Sequence, residues 1–298
     1  MNFKSLKEKG EYYRSLTDYR LLPNSYAVIM LDGRSFSHKI KNKFNKPFDD
    51  DFVRMMNETT KYLCENIQGA LLGYCQSDEI HIVLSDFVLR YTVDENGNKD
   101  YNGKETGPEG QSAFFQYRIS KMLSIVASMA TSKFNQLMTA YRVGKIVGCP
   151  ASAGDTVQMC IDAVNGPLYE FDCKAWNLPN ANDVYAWLLY RQIDCARNSK
   201  QQLCQTYLPH KELLKLHTDN QIALLKEKKN IDWNEFPDGL KYGRIVYKIE
   251  SEYLNEDGKP YIRSKWTVDG AKRFDTTEND FVSIRKIING LIVKHNIQ

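Results

Sequence analysis

Asp32 closes a short apolar run, and Asp78 falls between two further apolar runs. Segments of that kind can lie side by side in one sheet, which would bring the two carboxylates together at one end of it. Carboxylates beside a phosphate repel it unless cations intervene. Two Mg²⁺ ions roughly 4 Å apart, bound by both acids, would stabilise the attacking and leaving oxygens of an in-line displacement. The chemistry this points to is metal-dependent phosphoryl or nucleotidyl transfer, with Asp32 and Asp78 as the catalytic acids and metal ligands. Gly33 adds a nearby carbonyl with no side chain of its own in the way. Neither motif is specific singly: Asp32-Gly33 is also a turn and Ser77-Asp78-Glu79 a solvated hairpin tip, and for either alone the plain turn is the commoner explanation.

The elements that must position these acids can be read from periodicity. Residues 26–31 form an apolar, β-rich run that stops at Asp32, as a buried strand would. In 50–67, Phe52, Met56, Leu63 and Ile67 recur at near-helical spacing, with Asp49, Asp50 and Asp51 at the positive end of the helix dipole. Residues 70–74 and 80–84 then read as two antiparallel strands around a five-residue connection, 75–79. Phe115, Ile119, Met122, Val126 and Met129 mark an amphipathic helix, and the latter half of 166–176 alternates as a further strand. The order β-α-β-β-α-β predicts an α+β fold with a polymerase- or cyclase-like palm, a ferredoxin-like antiparallel sheet with helices on one face.

Between these elements, residues 93–110 are rich in Gly, Asn, Asp, Glu and Lys without an apolar period, which predicts a flexible insertion or long loop. Residues 184–207 read as a helix that changes midway from apolar to polar, so its second half is a candidate to face a ligand. Helical material follows around 213–229, then two strands, 244–249 and 261–266, joined through a turn at 255–258. Phe281, Ile284, Ile288 and Leu291 predict a last helix. The expected organisation is a palm-like catalytic region over 1–180 and a helical and β-hairpin region over 181–298 packed on it.

At 298 residues with 42% hydrophobic content, the chain can bury a full core without covalent staples. Its seven cysteines are scattered, with no Cys-x-x-Cys pair, which argues against a disulfide framework or a structural zinc site and for a reducing, cytoplasmic compartment. No stretch approaches the length of a membrane span. A net charge of +3 is too small to identify a nucleic-acid partner. The five histidines show no ligand spacing, so structural or surface roles are favoured for them.

The residues also carry a family resemblance. Leu31-Asp32-Gly33-Arg34-Ser35-Phe36, then Phe44-Asn45-Lys46-Pro47-Phe48-Asp49, then Gly73-Tyr74-Cys75-Gln76-Ser77-Asp78-Glu79 resemble, in order and spacing, the tRNA(His) guanylyltransferase superfamily. The similarity continues through 114–135, Phe171-Asp172, Tyr190-Arg191-Gln192-Ile193-Asp194 and 230–243. It implies an RNA-directed nucleotidyltransferase working in the 3′-to-5′ direction. Such enzymes activate an RNA 5′-phosphate with ATP, and the 3′-hydroxyl of GTP or another nucleoside triphosphate then attacks that end. Mg²⁺, two per site, is the implied cofactor. The implied partners are a tRNA or tRNA-like 5′ end and further copies of the chain in a homotetramer, with no membrane.

Carried over residue by residue, the resemblance makes Asp32, Asp78 and the Gly33 carbonyl the metal ligands and Lys46 a triphosphate contact. Arg34, Ser35, Phe36 and Asp49, with Ser77 and Glu79 beside the acid, complete the candidate nucleotide-binding set. Arg118, Lys121, Arg191, Arg197, Asn198 and Lys200 are candidates for a second nucleotide or RNA phosphate site, although a solvated helix end explains the last three equally well. One departure bears on substrate. Members dedicated to tRNA(His) carry His-Ile-Asn-Asn where this chain has Ala196-Arg197-Asn198-Ser199. That pattern is similar to the guanylyltransferase-like branch, which implies template-dependent repair of 5′-truncated tRNA. The alternatives are non-templated guanine addition to tRNA(His) and a nucleotidyl cyclase, whose Gly-Gly-(Asp/Glu)-Glu-Phe signature is missing.

Overall fold

The computed structural model describes residues 3–93, 99–105, 113–146, 153–254, 260–271, 273 and 294–295. The chain opens with α1 (Leu6–Ser15), β1 (Tyr26–Gly33), α2 (Phe36–Lys39), α3 (Asp50–Asn66), β2 (Ala70–Gln76) and β3 (Glu79–Leu84). Next come β4 (Val88–Val93), β5 (Lys99–Glu105), α4 (Ile119–Ile146), α5 (Ala153–Val164), β6 (Phe171–Leu178) and α6 (Ala181–Tyr207). The last described elements are α7 (His210–Leu213), α8 (Thr218–Lys229), α9 (Asp238–Lys241), β7 (Arg244–Leu254), β8 (Pro260–Gly270) and β9 (Lys294–His295). Among the described residues no helix is long and apolar enough to cross a membrane.

The strands form a sheet in the order β6-β1-β3-β2-β7-β8, with antiparallel neighbours throughout and β9 alongside β7 in parallel. Strand alternation decides which side chains meet which helices. Ala27, Ile29 and Leu31 of β1 and Ile80, Ile82 and Leu84 of β3 pack with α3 and α4 in one core. Tyr26 and Val28, with Leu72, Tyr74 and Val83, face the opposite way and pack against Val184, Tyr185 and Leu188 of α6. Helices α3 and α4 thus share one face, and α6, from the region expected to pack on the palm, lies on the other. The apolar first half of α6 covers the second face, which explains why β1 is buried along nearly all its length.

Helix α3 begins where Asp49 caps it, its carboxylate accepting from the N–H groups of Asp51 and Phe52. It packs so closely on β2 that a Cβ at Gly73 would lie 2.8 Å from Cys64 Sγ and from Thr60 Cγ2. The connection between β2 and β3 has two residues, not five. Gln76 pairs with Glu79, leaving only Ser77-Asp78 in the turn. Ser77 has a φ of 45°, the positive value that suits tight hairpin turns to the twist of their strands. Gln76 escapes an apolar pattern because its burial is made acceptable by a side-chain bond to Glu79 at 2.9 Å.

Other parts of the chain add to the sequence reading. Within the segment expected as a loop, Lys99–Glu105 pairs with Val88–Val93 in a separate two-stranded sheet, while 94–98 and 106–110 lie outside the described residues. The sheet runs across the expected boundary at residue 180, because β7 pairs directly with β2. Helices α1 and α5 were not expected. The turn at 255–258 and the last helix, with Phe281, Ile284, Ile288 and Leu291, lie outside the described residues.

Candidate active site

Asp32 sits at the end of β1, where the ladder places it directly opposite Glu79 of β3 on one side and Asp172 of β6 on the other. Like charges opposite one another destabilise a sheet, so this row of carboxylates is costly unless something else uses it. Asp78 is tied to the same place: the N–H of Gly33 donates to its backbone carbonyl at 3.2 Å. The structure thus brings Asp32, Gly33 and Asp78 together, as expected. It also adds Asp172, which the sequence resemblance covered within Phe171-Asp172 but gave no role at the site.

Burial, then the charges of Glu79 and Asp172, hold the Asp32 carboxyl above its ordinary range. Burial and the Asp32 charge push Asp78 up to about 6. Neither acid has a salt-bridge partner among the described residues. The adjacent Glu79 behaves oppositely. Burial alone would raise it, but hydrogen bonds from His81 and Gln76 and the charge of Arg191 outweigh burial and bring it to about 2.

That contrast tests whether Mg²⁺ fits. Two desolvated, mutually repelling carboxylates beside a turn carry uncompensated negative charge, and a divalent cation would relieve it. Among the described residues no three His, Cys, Asp or Glu side chains gather as a metal cage. The set is two carboxylates with a backbone carbonyl beside them, the partial oxygen shell that suits a cation which keeps waters and binds substrate phosphates. The residues fit the ion.

A Cβ at Gly33 would lie 2.5–2.7 Å from the Phe36 ring, so the packing of Phe36 over this position is a further reason for glycine here. Phe36 itself is 1% exposed among Phe134, Tyr169 and Phe171, which makes its side chain core rather than a nucleotide contact. Arg34 and Ser35 are exposed beside it, outside the cavity described next.

Beside the acids lies a cavity of about 360 Å³, within the size range of small-molecule sites. Lys46 and Asp49 line one side, Ser77, Asp78 and Glu79 another, and Cys195, Asn198, Ser199 and Gln202 of α6 a third, with Arg244 also facing in. Asp32 is not part of that lining. Asp49 spends its carboxylate on the N–H groups of Asn45, Asp51 and Phe52, which fixes the Lys46 loop from within. Gln202 Nε2 donates to the Pro47 carbonyl at 2.6 Å and fixes the same loop from α6. Lys46 lines the same cavity as Asp78 and forms no salt bridge among the described residues, so its charge is available to an anion there.

The candidate second phosphate set is not one cluster. Arg118 is ion-paired with Asp18 at 2.7 Å, and Lys121 lies 4.5 Å over the Phe115 ring. Arg197 pairs with Asp194, and Lys200 with Asp219 at 2.7 Å while sitting over Trp233. Arg191 is 7% exposed, its Nη2 is bound to Glu79 and Asp194, and it does not line the cavity. Asn198 is the one of the six that lines the cavity.

A profile of the tRNAHis guanylyltransferase family matches residues 8–179, more than half of the chain. The chain is 29% identical over 252 residues to an uncharacterized protein of Acanthamoeba polyphaga mimivirus, covering 81% of this chain and 76% of that one. It is 25% identical over 271 residues to tRNA(His) guanylyltransferase 1 of Arabidopsis thaliana, covering 86% of this chain and only 40% of the plant protein's length. Among solved structures it resembles a bacterial tRNA(His) guanylyltransferase-like protein in complex with ATP. There the TM-score is 0.69 and the identity 27%, over 97% of this chain and 99% of that one.

Proposed function

This chain belongs to the tRNA(His) guanylyltransferase family and is a nucleotidyltransferase, and on that premise we propose that it extends the 5′ end of a truncated tRNA in the 3′-to-5′ direction, choosing each nucleotide by pairing with a template base. The observation that carries the templated reading is the wall that α6 presents to the cavity. Asn198 and Ser199 line it, Arg197 is turned to Asp194, Ala196 packs in an apolar cluster, and no histidine lines the cavity among the described residues. The histidine that members dedicated to tRNA(His) carry at position 196 is therefore absent at this wall, while the first asparagine of the stretch is kept as Asn198. A template base can do the choosing instead, since Watson–Crick hydrogen bonds and stacking align an incoming base without a dedicated pocket.

Asp32, Asp78 and the Gly33 carbonyl are the groups that would hold Mg²⁺, which when bound supplies charge neutralisation at the phosphates and at the attacking and leaving oxygens. Lys46 brings a point charge to the triphosphate, held by a loop that Asp49 and Gln202 keep in place. The palm-like reading of the sheet rests on the β-α-β-β-α-β order with the acids at one end of the central strands. ATP as activating nucleotide is supported by the ATP complex of the bacterial relative. A homotetramer would give a role to the exposed apolar stripe Val157, Ile161 and Val164 on α5.

The test changes the templating base of one 5′-truncated tRNA through all four identities and compares kcat/KM for each nucleoside triphosphate with Mg²⁺. The complementary nucleotide is expected to win in each case. Equal guanine addition whatever base stands opposite, with full-length tRNA(His) the better substrate, would replace this reading with non-templated guanylyl transfer. Cyclic nucleotide formed without RNA would replace both.

A further inference from the structure

Glu79 follows Asp78 in the chain and stands opposite Asp32 in the ladder, so a third carboxylate stands beside the acid pair as a candidate cation ligand. Only Glu79 is taken out of that role by cation and donors. Arg191 Nη2 donates to its Oε1 at 2.9 Å and its Oε2 at 2.6 Å, Gln76 Nε2 donates to Oε2 at 2.9 Å, and His81 Nε2 lies 3.3 Å from the same oxygen. The same Nη2 also donates to Asp194 Oδ2 at 3.0 Å. Arg191 does not line the cavity, and its Nε is buried without a partner, a cost accepted for the sake of the Glu79 contact.

We propose that Arg191 is a positioning residue: it holds the Glu79 carboxylate away from the cation, so that Asp32 and Asp78 alone face it. This rests on the reading of Asp32 and Asp78 as Mg²⁺ ligands. The physical consequence has a definite sign. Removing a nearby positive charge and freeing a third carboxylate makes the site more attractive to a divalent cation, yet draws that cation off the position the two aspartates set. Tighter metal binding should therefore accompany slower turnover. An arginine acting on nucleotide or RNA phosphate gives the opposite pattern, with metal affinity unchanged and substrate affinity lost.

The experiment titrates Mn²⁺ alone by electron paramagnetic resonance and measures nucleotide addition separately, on variants checked by circular dichroism. Arg191→Met is expected to bind Mn²⁺ about tenfold tighter than wild type and to turn over about a hundredfold more slowly. Adding Glu79→Gln to it should return Mn²⁺ affinity to within about threefold of wild type and recover at least about tenfold in turnover. Should Arg191→Met fail to fold, Glu79→Gln is compared with the double variant, where no carboxylate remains to be held. The second change should then cost less than about threefold. The inference is overturned if Arg191→Met binds Mn²⁺ no more tightly than wild type, or if it still cuts turnover about a hundredfold in the Glu79→Gln background. If Asp32→Ala and Asp78→Ala bind Mn²⁺ normally, the acid pair is not the metal site and this inference falls with it.

Discussion

At the end of β1 and in the adjoining turn, Asp32 and Asp78 hold desolvated negative charge with no salt bridge among the described residues, and both carboxyls are pushed upward. Along the second half of α6 the same residue types are closed on one another: Arg191 by Glu79 and Asp194, Arg197 by Asp194, Lys200 by Asp219. Both regions are rich in charge, so charge alone does not mark a site. What separates them is whether the charges are already answered. Unanswered carboxylates beside a cavity need a ligand, whereas answered ones hold the walls in place.

The largest effect should come from removing the unanswered pair. Asp32→Ala and Asp78→Ala are each expected to lower kcat/KM for nucleotide addition by about a thousandfold, with Tm no lower than wild type, because each loses charge repulsion and no salt bridge. Single-turnover assays beside thermal melts check both halves; near-normal rates in either variant would break the comparison at its centre.

Next comes a difference of sign between adjacent residues, read in metal-free buffer. Asp78 has a folded-state pKa of about 6, above its unfolded value, so its contribution to stability is present at low pH and is lost as pH rises from about 4 through about 6. Asp78→Asn should therefore raise Tm by about 3 °C at neutral pH and lose that gain on acidification. Glu79, at about 2, contributes stability above about pH 4.3 that is lost as pH falls toward 2. Glu79→Gln should lower Tm by about 10 °C at neutral pH, with a deficit that shrinks in acid. Melting curves across pH that move both variants the same way would remove the distinction between the two carboxylates.

The smallest effect belongs to Lys46, a single charge on an exposed loop. Lys46→Ala should raise KM for the nucleoside triphosphate about tenfold while leaving kcat within about threefold. Initial rates at varied nucleotide concentration decide this, and an unchanged KM would take the loop out of the site.

The acid pair was legible because its supports are local. A buried run ending at Asp32 and two alternating runs around Asp78 announce themselves through periodicity. Gln76 hid the true length of the turn, since it is polar yet buried against Glu79, and apolar pattern cannot report a residue satisfied by a hydrogen bond. The role of Arg191 was illegible for a different reason. Its partner lies 112 residues away, and no local spacing encodes a contact made only when α6 crosses the sheet. Helix α1 buries nothing, and the apolar stripe of α5 faces outward, so neither offered the core-facing signal by which helices are recognised.

The pairing of β7 with β2 also bears on when the site can exist. Val246, Ile245 and Arg244 satisfy the backbone groups of Gly73, Tyr74 and Cys75, and Arg244 reaches in to Asn57 at 2.9 Å and to Cys75 Sγ at 3.2 Å. The strand that delivers the acid turn therefore has an open edge until residues from the far end of the described sheet arrive. A chain still emerging from the ribosome would carry both aspartates long before the strand beneath Asp78 had its second neighbour. Closure entropy of so long a loop makes that pairing a late event, and until then the exposed edge is a template for pairing with other chains. Catalytic competence is in this sense a property of the finished sheet, granted by its last strands and not by the segment that contains the acids.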